Sequence, residues 1–90
     1  MYLERIVKVV KKIDPYAEVY LFGSVVEGKY LLLSSDIDIL VVTSSPPGNL
    51  LAELWASGVR DLFEIHVVNW EVLEVYKKRS KLIRVDDKYK

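Results

Sequence analysis

The chain has 90 residues, 51% of them hydrophobic, with 13 Lys+Arg balancing 13 Asp+Glu and no cysteine. That length gives one small domain with a modest core. The missing cysteine excludes a disulfide framework, a zinc–thiolate centre and a thiol nucleophile, and zero net charge argues against a general nucleic-acid binder. No apolar run reaches the length of a membrane span. Charges at Glu4, Arg5 and Lys8 break the apolar pattern that a signal peptide would need. The expected location is therefore cytoplasmic.

Leu3, Ile6, Val7, Val10 and Ile13 recur at helical spacing, with Glu4, Arg5, Lys8, Lys11 and Lys12 on the other side, which predicts an amphipathic first helix. Asp14-Pro15 stops it, because proline restricts the residue before it. Glu18 to Phe22 is β-branched and aromatic and reads as the first strand, ended by Gly23-Ser24. Val25 to Lys29 is expected to be a short helix or turn broken by Gly28. Ser34-Ser35 lead into a second strand, Asp36 to Thr43, apolar on both faces past Asp38 as a central covered strand should be. Ser44 to Asn49 is the clearest loop. Leu51, Leu54, Trp55 and Val59 mark a second helix, with Gly58 placed to shape its end. Leu62 to Val68 is a third strand. Asn69 is a good N-cap for a last helix that turns Leu73 and Tyr76 inward and pairs Glu74 with Lys78. The charged stretch after Arg79 is expected to fray or to dock on a partner. The order α-β-α-β-α-β-α indicates an α/β or α+β fold.

Within this apolar pattern, Asp36 and Asp38 are anomalous. They stand at i and i+2 in a run that otherwise reads as a buried strand, so they share a face. Two ionised groups there repel each other and are costly to desolvate, and a cation between them resolves both problems. Glu64 is a third acid in a strand, sharing its face with His66 and Val68. If the second and third strands are neighbours, Asp36, Asp38 and Glu64 can hold two divalent ions. Oxygen-only ligands favour Mg2+ or Mn2+ over zinc. His66 reads more readily as a hydrogen-bonded structural histidine than as a base or ligand. Gly23-Ser24 supplies a complementary half, because a glycine at a strand end lets backbone approach a ligand and the serine hydroxyl and a helix N-terminus suit phosphate.

The run Leu21-Phe22-Gly23-Ser24, then Ser35-Asp36-Ile37-Asp38-Ile39, then Glu64 on a later strand resembles the nucleotidyltransferase superfamily that includes DNA polymerase β, and by size its minimal prokaryotic members. The resemblance covers most of the chain. It implies a small mixed β-sheet flanked by helices, with the domain over residues 1–80 and a C-terminal tail over 81–90. It implies transfer of a nucleoside monophosphate, AMP from ATP first among them, to a hydroxyl of a protein or RNA. Gly23 and Ser24 would hold the triphosphate; Asp36, Asp38 and Glu64 would bind Mg2+ or Mn2+, and Glu64 would help to activate the acceptor. It further implies a helical HEPN protein as partner, in an antitoxin role. Relatives often carry an arginine after the serine. Here Val25-Val26-Glu27-Gly28 has no base, and Lys29 is the substitute cation.

Gly23-x-x-x-x-Gly28-Lys29 is a near miss to a P-loop, since Tyr30 stands where a P-loop places Ser or Thr on the metal. Trp55 and Trp70 are expected as core or interface anchors. Lys77, Lys78, Arg79, Lys81 and Arg84 read as a solvated face that could contact RNA or an acidic partner. A chain this apolar is expected to leave a face for a second copy. The alternative in a different class is a non-catalytic module that neutralises or scaffolds a helical partner.

Overall fold

The computed structural model describes residues 2–23, 37–58 and 63–88. Helix α1 spans Tyr2–Ile13, strand β1 Glu18–Phe22, β2 Ile37–Val42, helix α2 Pro47–Ala56, β3 Phe63–Val68, α3 Trp70–Arg79 and β4 Ile83–Arg84, followed by a 3₁₀ turn at Asp86–Lys88. The strands form one sheet in the order β3-β2-β1-β4. The β2–β3 pair is parallel and joined through α2, while β1 runs antiparallel to both β2 and β4. The central position of β2 explains why its apolar run has no polar face beyond Asp38: both sides of the sheet are covered there.

Alternation along the strands divides the core in two. Val19, Ile39 and Val41 point to one face, where Ile6, Val7 and Val10 of α1 and Leu50 and Leu54 of α2 cover them. Tyr20, Leu40 and Val42 point to the other, where Leu73 of α3 packs and Phe22, Val68 and Tyr76 close around it. Each such aliphatic side chain removed from water contributes about 1.5–3 kcal/mol before the entropy of ordering is counted. The helical spacing predicted for α1 matches its buried stripe. In α2 the inward residues are Leu50 and Leu54, and Leu51 is only half-buried. Trp55 and Trp70 are 51% and 38% exposed, so neither is a core anchor.

Helix boundaries follow local chemistry. α2 begins inside the segment that reads as a loop, because Pro47 occupies its first turn, where a missing N–H costs nothing. Gly58 lies just past its end at φ +87, the left-handed region that terminates helices, and its N–H donates to Trp55 O. Arg5 Nη1 donates to Ser57 O at 3.1 Å, tying α1 to this end of α2. Asn69 Oδ1 accepts from the Val72 N–H at 2.9 Å, so the predicted N-cap is present. Glu74 pairs with Lys77 at 3.5 Å, rather than with Lys78. Thr43, buried at the end of β2, donates to Asp14 Oδ2 at 2.6 Å. That bond is the main reason the Asp14 carboxyl lies below its ordinary value.

The described residues after Arg79 dock on the chain's own sheet. Ile83 and Arg84 pair with Leu21 and Tyr20, the Val85 N–H donates to Val19 O at 2.9 Å, and Val85 and Asp86 are buried. Asp86 has 0% exposure, and its carboxylate accepts from the Val19 N–H at 3.0 Å and from Arg84 Nε at 2.9 Å, with Lys11 Nζ at 3.1 Å. Burial alone would raise this carboxyl, but the hydrogen bonds from Arg84, Val19 and Lys11 outweigh it and bring its pKa down to about 2. One carboxylate thus fastens helix α1, strand β1 and the C-terminal segment together. Beside it, burial and a hydrogen bond to Glu18 push the Tyr20 phenol up to about 12. The short helix or turn expected at Val25 to Lys29 lies outside the described residues, and no helix among the described residues is long and apolar enough to cross a membrane.

Candidate functional site

The strand registers build the site. Parallel pairing sets Asp38 opposite Glu64 and Leu40 opposite His66, while antiparallel pairing sets Phe22 opposite Asp38. Asp38, Glu64 and His66 therefore project from the α3 side of the sheet, beside the end of β1. His66 Nε2 lies 3.7 Å from Asp38 Oδ1 and 3.8 Å from Glu64 Oε1. One ligand atom from each of the three residues falls within 4.8 Å of the others. The Phe22 ring meets the imidazole edge-on at 5.3 Å and the Tyr76 ring at 5.5 Å. These aromatic contacts hold the imidazole against the apolar cluster under α3.

Gly23 closes the other side. It sits at φ +79, and a Cβ built on it would run into Asp38 Oδ2. Glycine is required here twice, for the left-handed backbone and for the space the carboxylate fills. The Asp38 side chain lies against this glycine. The Asp38 side chain is 23% exposed and that of Glu64 59%, so the cluster opens to solvent on the Glu64 side. A cleft of about 430 Å³ at the far end of β2 and β3, lined by Ser44, Ser45 and Asn69 among others, contains none of these three residues.

Two carboxylates and an imidazole converging within a few ångströms fit a divalent ion. Bonds of about 2.0–2.2 Å to oxygen or nitrogen place neighbouring ligand atoms about 3–4 Å apart. The 3.7 and 3.8 Å separations lie in that range and are too long for good hydrogen bonds. Among the described residues, the groups that could hold an ion are two carboxylates and one imidazole.

A family model described as nucleotidyltransferase domain matches residues 3–90. The chain belongs to the nucleotidyltransferase family. Two solved structures, each described as a “putative nucleotidyltransferase”, are similar to this nucleotidyltransferase. One is 30% identical with a TM-score of 0.69, over 92% of this chain and 96% of its own length. The other, from Sulfolobus solfataricus, is 30% identical with a TM-score of 0.61, over 92% of this chain and 75% of its own. None of the curated proteins matches the chain. Membership makes the protein a transferase of nucleotidyl groups with a nucleoside triphosphate as substrate, in a family that typically uses divalent metals.

Of the residues the sequence singles out, Asp38 and Glu64 come together and Gly23 lies against Asp38. Ser24, Lys29 and Asp36 lie outside the described residues. His66, which the sequence presents as a structural histidine, lies beside both carboxylates. Its alternation with Glu64 already places it on the acidic face, but its closeness to Asp38 depends on the β2–β3 pairing, which no local pattern encodes.

Proposed function

We propose that this nucleotidyltransferase moves a nucleoside monophosphate, AMP from ATP as the leading donor, to a hydroxyl of a protein or RNA acceptor. The pairing of Asp38 with Glu64 on adjacent parallel strands, with Gly23 pressed against Asp38, carries this reading. The acceptor hydroxyl loses its proton to solvent as its oxygen bonds to the α-phosphorus, the bond from that phosphorus to the oxygen bridging to the β-phosphate breaks, and pyrophosphate leaves. Asp36, Asp38 and Glu64 hold the divalent ion, Mg2+ or Mn2+. When bound, the ion neutralises phosphate charge and lowers the pKa of the attacking hydroxyl. Glu64, the more exposed of the two described carboxylates, faces the side from which an acceptor enters and orients its hydroxyl. The Gly23-Ser24 amides and hydroxyl and the Lys29 ammonium cradle the triphosphate. Only side chains that reach the phosphates or the acceptor belong to this set; Asp86 and Lys11 serve the fold.

The acceptor on this reading comes from a helical HEPN-type partner in an antitoxin pair, in the cytoplasm, and a second copy of the chain covers an apolar face. The exposed Trp55 and Trp70, large apolar side chains on two different helices, support a partner surface. The test is pyrophosphate release from ATP in the presence of partner, compared between wild type and an Asp36→Asn, Asp38→Asn double variant. Release should fall to background while the thermal melt holds. A double variant as fast as wild type would remove the assignment. Partner binding that survives in both, with no release from wild type, supports a non-catalytic scaffold instead.

A further inference from the structure

The imidazole at the acidic cluster has consequences for which metal the site takes. His66 Nε2, rather than the ring's other nitrogen, faces the carboxylates, almost equidistant from Asp38 Oδ1 and Glu64 Oε1 at 3.7 and 3.8 Å. Phe22 packs against the ring edge-on at 5.3 Å, which restricts its motion. Strand register fixes the same arrangement in the backbone, since His66 follows Glu64 by two residues and pairs with Leu40, two beyond Asp38. Both separations exceed hydrogen-bond distance, so neither carboxylate accepts a hydrogen bond from Nε2.

We infer that His66 is a metal ligand, and that the site it completes prefers a first-row transition ion such as Mn2+ to Mg2+. Magnesium is a hard ion that dehydrates reluctantly and takes oxygen donors. An imidazole nitrogen adds little to its binding and more to that of a transition ion. The selectivity then belongs to His66, while Asp38 and Glu64 supply charge that any divalent ion accepts. The inference rests on the proposed role of Asp38 and Glu64 as metal ligands.

The chain has one histidine, so any imidazole nitrogen bound to metal is that of His66. The experiment uses the full chain without a histidine tag, labelled with 15N-histidine and loaded with Mn2+. Pulsed EPR should show a directly coordinated nitrogen, a reading that needs no variant. In EPR titrations, His66→Ala should weaken Mn2+ at least about tenfold, while Mg2+ competition changes much less, so the Mn2+ preference narrows. Mn2+ bound without nitrogen coupling, weakened by Asp38→Asn but not by His66→Ala, overturns the inference and leaves the carboxylate site standing. Mn2+ uptake indifferent to Asp38→Asn, or none at all, overturns both the inference and the metal reading of the site.

Discussion

Replacing Asp86 by Asn tests whether the C-terminal segment is part of the fold. The side chain keeps its shape but loses the charge that Arg84 and Lys11 face, and its NH2 group cannot accept the bonds the carboxylate accepts. The carboxyl's pKa falls from an ordinary 3.8 to about 2 in the folded chain. By linkage that corresponds to about 2.5 kcal/mol of stability at neutral pH. Because the folded value is depressed, this stability is complete above pH 4–5 and is lost as pH falls through about 2, with roughly half remaining at pH 3. Urea unfolding of wild type and Asp86→Asn, followed from pH 7 to pH 3, should show a gap of about 2–3 kcal/mol at neutral pH that narrows by about half at the acid end. In a domain of this size that gap is a melting-point loss of about 10–20 °C. Equal stability at pH 7, or two pH profiles that run parallel, would refute the role given to this carboxylate.

Other positions give sharper local tests. Gly23→Ala should cost about 1–2 kcal/mol in a thermal melt for the left-handed backbone alone, and should lower nucleotidyl transfer about 100-fold by displacing Asp38; an alanine variant with wild-type rate would contradict the packing at this glycine. Leu54→Ala empties a fully buried position on the face away from the site. It should cost about 2–5 kcal/mol and leave transfer intact below its melting point. Asn69→Ala removes the one side-chain cap of α3 and should cost about 0.5–2 kcal/mol in urea unfolding.

The parts of the fold visible in the sequence are those with a local cause. The 3.6-residue spacing of Ile6, Val7 and Val10 locates α1, and the Asn69 cap locates α3. The Val19 to Phe22 run gives β1, and the acids inside apolar strands stand out as the candidate site. Features that depend on distant residues were not legible. Lys77, Lys78, Arg79, Lys81 and Arg84 read as a solvated face, and the stretch after Arg79 as one that frays or docks on a partner, because nothing nearby shows that Asp86 meets Lys11 and the Val19 amide across the sheet. Trp55 reads as a core or interface anchor, and the helix turns Leu50 and Leu54 inward and leaves it at the surface. Whether Glu64 stands beside Asp38 rests on the parallel pairing of β2 with β3, a contact made only once α2 has crossed over. The same pairing carries His66 into the cluster.

Transfer itself is the central claim, and ATP labelled at the α-phosphate tests it most directly. The protein would be incubated with this ATP, Mg2+ or Mn2+ and the partners that co-purify from a native lysate, alongside the same reaction with Asp38→Asn. Stable α-label on a protein or RNA, absent with γ-labelled ATP and lost in the variant, is the predicted result. No label on any acceptor, with the partners still bound, would contradict it.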